Sequence, residues 1–493
     1  MSVFDAINSA AGEFLTLINM DQTFWPIVIV ILFCVGLYFT IRTGGVQFTM
    51  LRESCRQAFG SIRLSDVTGK SKSVSSFQAF AVSMGARVGI GNIAGVAAAL
   101  VLGGPGAVFW MWLFAILGAA TSFVECTVGQ IYKEKDAEGH FNGGPAYYIK
   151  NALGSKDLAC IVALFVIVAY PFLFTGMQAS TITSAFTAAT GLDQWIIAIA
   201  VTAITAVIIF GGIHRVAKVS SALVPFMAVL YLVITIVLIL LNITKVPGMF
   251  VTIFSYAFGL QAFAGGAIGT VIMQGVRRGM FSNEAGIGSI PNVVSSAKVN
   301  HPVKQGLVQS LGVYVDTLLV CSATAFVILL CAGDSFISYM EYGTTKAVLV
   351  QDILSTTFLG GIAPILIAVI ILFFAFSSMI SYYFMGETNT RFLTKNKHAL
   401  TVFRVLVVLL VLIACLISID TVWDLGDLFM GIMALFNLSA LVFICKYAFE
   451  ALKDYKKQRA AGIEDPVFDP SCLSNTTGIT CWPDNDPDRK DDD

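Results

Sequence analysis

Three charged side chains fall inside stretches that otherwise carry none: Arg87, Glu125 and Asp316. A charge in hydrocarbon is costly, so such residues either handle ions and protons or pair with one another. Either carboxylate could be a proton or cation site. The simpler reading pairs Arg87 with Glu125 or Asp316 to hold helices together, or places both acids at an inner gate. Gln178, in Thr175-Gly-Met-Gln-Ala-Ser-Thr181, and the pair Ser377-Ser378 are neutral polar groups set equally deep. Serines often bond back to their own helix, but hydroxyl and carbonyl oxygens are also the hard ligands a small alkali cation requires. Catalytic constellations are missing. His140, His214, His301 and His398 lie outside the apolar runs without metal spacing, and the ten Cys are scattered with no CxxC pair. They read as small core hydrophobes, and no nucleophile, base and metal set points to an enzyme.

Glycine spacing adds a second signal. Gly85-Ala-Arg-Val-Gly89-Ile-Gly91-Asn92-Ile-Ala-Gly95 and Gly265-Gly266-Ala-Ile-Gly269-Thr270 are dense enough to interrupt a helix. Small-residue packing faces would explain either cluster alone. The two sit five apolar stretches apart, however, and five-plus-five inverted-repeat transporters break the first helix of each repeat near mid-membrane. There, freed amides meet an anionic group and freed carbonyls meet a cation.

The chain that must position these groups has 493 residues, 57% apolar and only 12% charged, with a mean hydropathy of +0.81. A soluble domain carries about 25% charged residues, so this composition describes a membrane protein. Thirty Lys and Arg against 31 Asp and Glu exclude a global basic field for nucleic acid. The acidic residues among the first 23 argue against a signal peptide. Eleven spans are expected, over 24–40, 77–102, 105–131, 158–188, 195–212, 219–242, 250–276, 306–331, 360–386, 402–418 and 428–447. The expected organisation is an extracytoplasmic N-terminus (1–23), an extra N-terminal helix with a cytoplasmic loop (24–76), a first inverted repeat (77–242), a second (250–418), a last helix (428–447) and a disordered tail (448–493).

Cytoplasmic loops are rich in Lys and Arg. With the N-terminus outside, 27 of the 30 basic residues fall on the inner side, leaving Lys245 and Lys346 outside and Arg87 within a span. The N-terminus is therefore expected outside and the C-terminus in the cytoplasm, which would keep Cys472 and Cys481 reduced.

Four segments then become specific. Gly103-Gly-Pro-Gly-Ala-Val-Phe-Trp-Met-Trp-Leu-Phe-Ala-Ile-Leu-Gly118, Gly89-Ile-Gly-Asn-Ile-Ala-Gly95, Arg278-Gly-Met-Phe-Ser-Asn-Glu-Ala-Gly-Ile-Gly-Ser289 and His301-Pro-Val-Lys-Gln-Gly306 leading to Asp316-Thr317 resemble the signatures of the alanine or glycine:cation symporter family, the sodium:alanine symporters. The resemblance covers residues 20 to 450. It implies an all-α LeuT-type fold with one extra N-terminal helix, in the plasma membrane, and uptake of a small neutral amino acid driven by sodium. By the same analogy the carbonyls of Gly85, Val88 and Phe374 with the hydroxyls of Ser377 and Ser378 form a sodium site. The amides around Gly89, Gly91 and Asn92 receive the substrate carboxylate. Gln178, Gly266, Gly269 and Thr270 take the rest of the amino-acid backbone, and Phe263 and Tyr382 wall the side chain. Proton coupling through Glu125 or Asp316 is the alternative. Ser180 stands where the family commonly has Asn and Tyr382 where it has Trp, which opens the substrate identity beyond alanine and glycine.

Overall fold

The computed structural model describes residues 12–13, 18, 20–60, 74–136, 139–259, 268–333, 336, 339, 346–416 and 419–482. The chain is almost wholly helical. Its only sheet among the described residues is a two-stranded antiparallel hairpin, β1 (Glu134–Lys135) with β2 (Phe141–Asn142).

A π-helical turn, Met20–Phe24, leads into α1 (Trp25–Arg42), and the amphipathic α2 (Leu51–Phe59) follows. The next element starts at a capping box in which Ser75 Oγ accepts from Gln78 N and Ser75 N donates to Gln78 Oε1. Such reciprocal bonds satisfy amides that a helix start leaves orphaned. This helix, α3 (Ser76–Arg87), stops after three turns. The chain resumes as a π-helical Gly91–Gly95 segment and α4 (Val96–Gly103), with a bend of 43° between the two halves. Beyond it come α5 (Ala107–Ile131), α6 (Pro145–Leu153), α7 (Lys156–Val168) and α8 (Thr175–Thr190), the last two joined by π-helical Ala169–Phe174 around Pro171, then α9 (Gln194–Ile209) and α10 (Gly212–Leu241). Proline removes one backbone donor, so a wide turn there is expected.

The second half holds α11 (Val246–Ala257), α12 (Ile268–Asn283), α13 (Ile290–Val294), α14 (Pro302–Val313) with its π-helical continuation into α15 (Ser322–Ala332), α16 (Lys346–Ser355), α17 (Ala363–Leu393), α18 (Lys397–Ala414) and α19 (Ile419–Ala460). Among the described residues, eight helices are long and apolar enough to cross a membrane, nine with the bent α3–α4 pair as one span, and α9 is a shorter apolar helix of 16 residues. Large apolar side chains such as Val207, Leu241, Ile362 and Phe443 face outward, as lipid contact requires and water would not permit.

The tail departs from its expected disorder. From residue 448, α19 continues to Ala460, and the chain then folds back with Phe468 and Leu473 buried. Phe468 N donates to Asn300 O at 2.9 Å, and Trp482 Nε1 to Gln130 O at 3.1 Å. Polar composition alone did not reveal these few apolar anchors. Residues 483–493 lie outside the described part.

Candidate functional site

The break after α3 lies against a second one. Beyond Asn283 the backbone takes left-handed values at Glu284 (φ 56°), Gly286 (φ 85°) and Gly288 (φ 85°) before α13 begins. Glycine accepts such angles freely; Glu284 is the single non-glycine residue with positive φ among the described residues. The two breaks touch, since a Cβ on Gly91 would lie 3.1 Å from both Phe281 Cδ1 and Ser282 Cα.

The stretch expected to hold the second break lies between α11 and α12, mostly outside the described residues. Gly269 and Thr270 lie in the first turn of α12, Gly269 exposed and Thr270 half-buried, and the helical rise puts Thr270 about 20 Å from Asn283. They line no part of the junction of the breaks. Phe263, Gly265 and Gly266 lie outside the described residues. The motif Ser282-Asn-Glu-Ala-Gly-Ile-Gly-Ser289 reads as a polar loop because it is rich in glycine. It is instead wholly buried, with Glu284 at 1% exposure.

Arg87 closes the end of α3 against the end of α12. Its Nε donates to Asn283 O (2.8 Å), its Nη1 to Gln309 Oε1 (2.8 Å) and Gln309 O (3.2 Å), and its Nη2 to Ser122 Oγ (2.8 Å). The expected ion pair with Glu125 or Asp316 is not made: the guanidinium is held by neutral acceptors, one of them a carbonyl orphaned where α12 stops. Glu125 instead accepts from Asn437 Nδ2 (2.9 Å) and Gly286 N (3.3 Å), which ties α5 and α19 to the second break. Asp316 accepts from Asn92 Nδ2 (2.6 Å), Ser282 Oγ (2.8 Å) and Thr317 Oγ1 (2.9 Å). It sits beside both breaks.

Freed amides at the first break are occupied by side chains. Gly89 N donates to Asn92 Oδ1 at 2.9 Å and Ile90 N to Gln178 Oε1 at 3.1 Å. Among the described residues, Gln178 Nε2 and Glu284 Oε1 meet no partner in hydrogen-bond geometry although both side chains are buried. The Tyr382 hydroxyl donates to Ala86 O at 3.2 Å. Phe174 packs tilted against the Tyr382 ring and edge-on to Phe281, its ring centre 5.9 Å from each. Ser180, two residues past Gln178 and so about 200° round the helix, turns away. It lines a separate cavity of about 390 Å³ with Thr183, Ser184, Thr187 and Gln194.

On the other face of the first break, carbonyls gather around two hydroxyls of α17. Ser377 Oγ donates to Phe374 O (2.8 Å) and lies 3.4 Å from both Gly85 O and Val88 O, and Ser378 Oγ donates to Gly85 O at 2.8 Å. Five neutral oxygens from Gly85, Val88, Phe374, Ser377 and Ser378 thus face one another in a buried volume. A Cβ on Gly89 would collide with Ser378 Oγ, so the approach of α3 to α17 depends on that glycine.

Sequence reasoning missed Arg277, Arg278 and Asp427. Arg278 holds Asp427 with two bonds of 3.0 and 2.8 Å, and Arg277 reaches Asp427 (2.8 Å) and Asp21 (2.9 Å). Both arginines were counted with the inner loops; Asp21 puts Arg277 at the opposite end of α1 from Arg42. Their adjacency at the edge of an apolar run is the available signal, and in the sequence it has the form of a span boundary.

Two helices interrupted at a shared, buried polar junction within an apolar bundle form the kind of site that secondary transporters build. The solved structure of MhsT in complex with L-phenylalanine has the same fold, with a TM-score of 0.51 at 16% identity over 76% of this chain and 97% of that one. Residues 12–470 match the model of the sodium:alanine symporter family. Two Bacillus subtilis proteins are similar along nearly their whole length: the probable sodium/glutamine symporter GlnT, 44% identical over 94% of this chain and 95% of that protein, and the amino-acid carrier protein AlsT, 42% identical over 96% and 98%. The chain belongs to the sodium:alanine symporter family, whose members are sodium-coupled amino-acid symporters of multi-pass membrane type.

Proposed function

We propose that the chain takes up a small neutral amino acid, alanine or glycine in the first instance, with sodium as the coupling ion, by alternating access. The five-oxygen cluster of Gly85, Val88, Phe374, Ser377 and Ser378 carries this reading. A cation there links a helix that bends to one that does not, so binding would favour one arrangement of the pair. The substrate sits where the breaks meet, among Gly89, Gly91, Asn92, Gln178 and Tyr382, to which Phe281 and Glu284 are added. Its carboxylate takes the place of Gln178 Oε1 at Ile90 N, and Glu284 Oε1 accepts from its ammonium group. The name of the GlnT relative makes glutamine a further candidate.

The spans are read as eleven: α1, then five in α3–α4, α5, α7–α8, α9 and α10, then five in α12–α13, α14–α15, α17, α18 and α19. On this reading the second inverted repeat includes the last helix, because a repeat ending at residue 418 would contain only four. The N-terminus is taken as outside, and the excess of basic loops on the other side persists without Arg277 and Arg278.

One charge moved across 100 mV supplies about 2.3 kcal/mol, enough for roughly 40- to 50-fold accumulation. Proteoliposome uptake of labelled alanine, glycine and glutamine under an imposed sodium gradient tests the reading. Uptake that ignores the sodium gradient refutes it. Proton coupling is the second reading, favoured by three buried acids, Glu125, Glu284 and Asp316, around the single Arg87. It requires uptake that follows a pH gradient without sodium and that Asp316→Asn or Glu125→Gln abolishes.

A further inference from the structure

A cavity of about 780 Å³ opens beside α2, lined by Thr49, Met50, Arg52, Glu53, Arg56 and Arg459 among others. Three guanidinium groups face it against one carboxylate. Glu53 is committed elsewhere: Oε1 accepts from Tyr455 OH (2.7 Å) and Gln57 Nε2 (2.9 Å), while Arg56 and Arg459 approach it at 3.3 and 3.6 Å. Arg56 Nη2 also donates to Glu464 O at 2.8 Å, and Arg459 Nη1 to Ile463 O at 3.0 Å. Two of the three cations are therefore held in place, whereas Arg52 is exposed and makes no ion pair or hydrogen bond among the described residues. The N-terminus of α2 adds positive character, since it has no side-chain cap and Thr49 and Met50 at that end line the cavity.

The surroundings say what kind of anion fits. α2 buries Ser54 and Ala58 against the protein and leaves exposed Leu51, adjacent to Arg52, and Phe59, two turns further along the helix, with Phe48 exposed in the turn before α2. Apolar side chains bordering a basic rim are the pattern of a helix lying in a membrane interface. The depth agrees: α1 ends at Arg42, whose guanidinium lies 5.4 Å from the ring centre of Phe449, the position expected where a helix leaves hydrocarbon. A soluble phosphate would use the arginines but leave Phe48, Leu51 and Phe59 against water. We propose that this cavity binds the phosphate headgroup of an anionic phospholipid whose acyl chains lie along Phe48, Leu51 and Phe59.

Native mass spectrometry of the full chain, with equal phosphatidylglycerol and phosphatidylcholine added, tests this. The expected result is preferential retention of phosphatidylglycerol, reduced about fivefold by Arg52→Gln, the loss of one surface cation's attraction. Lys453→Gln, an exposed charge outside the cavity, is expected to leave retention unchanged. Arg52 has no partner to lose, so a folding defect does not confuse the reading. Equal retention of the two lipids, retention unaltered in Arg52→Gln, or full displacement of the lipid by millimolar glycerol phosphate would each overturn the proposal, the last by identifying a site for soluble phosphate.

Discussion

Asn92 carries two roles at once. Its carbonyl caps Gly89 N and its amide holds Asp316, so truncation leaves a buried amide and a buried carboxylate each short of a partner. Losing buried bonds of this kind costs about 1–3 kcal/mol each. Asn92→Ala is therefore expected to insert normally and to lose uptake by tenfold or more. Uptake at the wild-type rate would remove Asn92 from the site. Ser378→Ala deletes one of the five oxygens and leaves the helix backbone intact; a tenfold or greater rise in the sodium concentration for half-maximal uptake is expected, and an unchanged value would move the ion elsewhere. Glu284→Gln keeps the shape of the left-handed turn but removes its charge. Under the proposed role the apparent affinity for amino acid falls while the sodium requirement stays, which direct binding with and without sodium can separate.

At the scale of elements, the glycines in the breaks decide whether helices can approach. A Cβ on Gly288 would add strain at φ 85° and would press within 2.8 Å of Asn437 Cγ and Pro145 Cγ. Neither neighbour is the loose end of a flexible chain. Gly288→Ala is expected to lower the melting temperature in detergent by several degrees, whereas alanine at Gly269, with open space around it, leaves it unchanged. If the two variants melt alike, the second break is not where the backbone places it. The first break was legible because Gly85 to Gly95 interrupts a continuous apolar run. The second glycine-dense stretch, Gly265 to Thr270, falls largely outside the described residues, between a helix that ends at Ala257 and one that begins at Ile268; a further interruption lies at Glu284, Gly286 and Gly288, where hydrogen bonds from Ser289 and Asn437 stabilise the irregular chain.

For the molecule as a whole, the C-terminal fold-back sits on the exit of the second break. Lys133 Nζ donates to Ala297 O at 2.9 Å and lies 4.8 Å from the Trp482 ring centre, and Lys304 pairs with Asp465. His301 is enclosed there by Tyr455 and Phe468, and burial holds its imidazole below its usual 6.5, to about 4. The folded state thus prefers neutral His301, so its stabilising contribution is complete above the ordinary value and is lost as pH falls from there toward 4. The protection of amides at residues 298–301, taken relative to their intrinsic exchange rate at each pH, is expected to fall over that interval in the wild type and to stay level in His301→Gln; equal pH dependence of protection in both would assign the effect to other groups. The sequence by itself determined the medium, the helical class and the first break, because those follow from apolar length and glycine density, while the residues of the oxygen cluster came from the family resemblance. Only the tertiary structure decided that Arg87 serves a carbonyl and not an acid, that Glu284 and Ser282 face the first break, and that the tail is anchored. Each depends on contacts between residues far apart in the chain, where burial and partner choice are properties of the packed bundle and leave no periodic trace in the sequence.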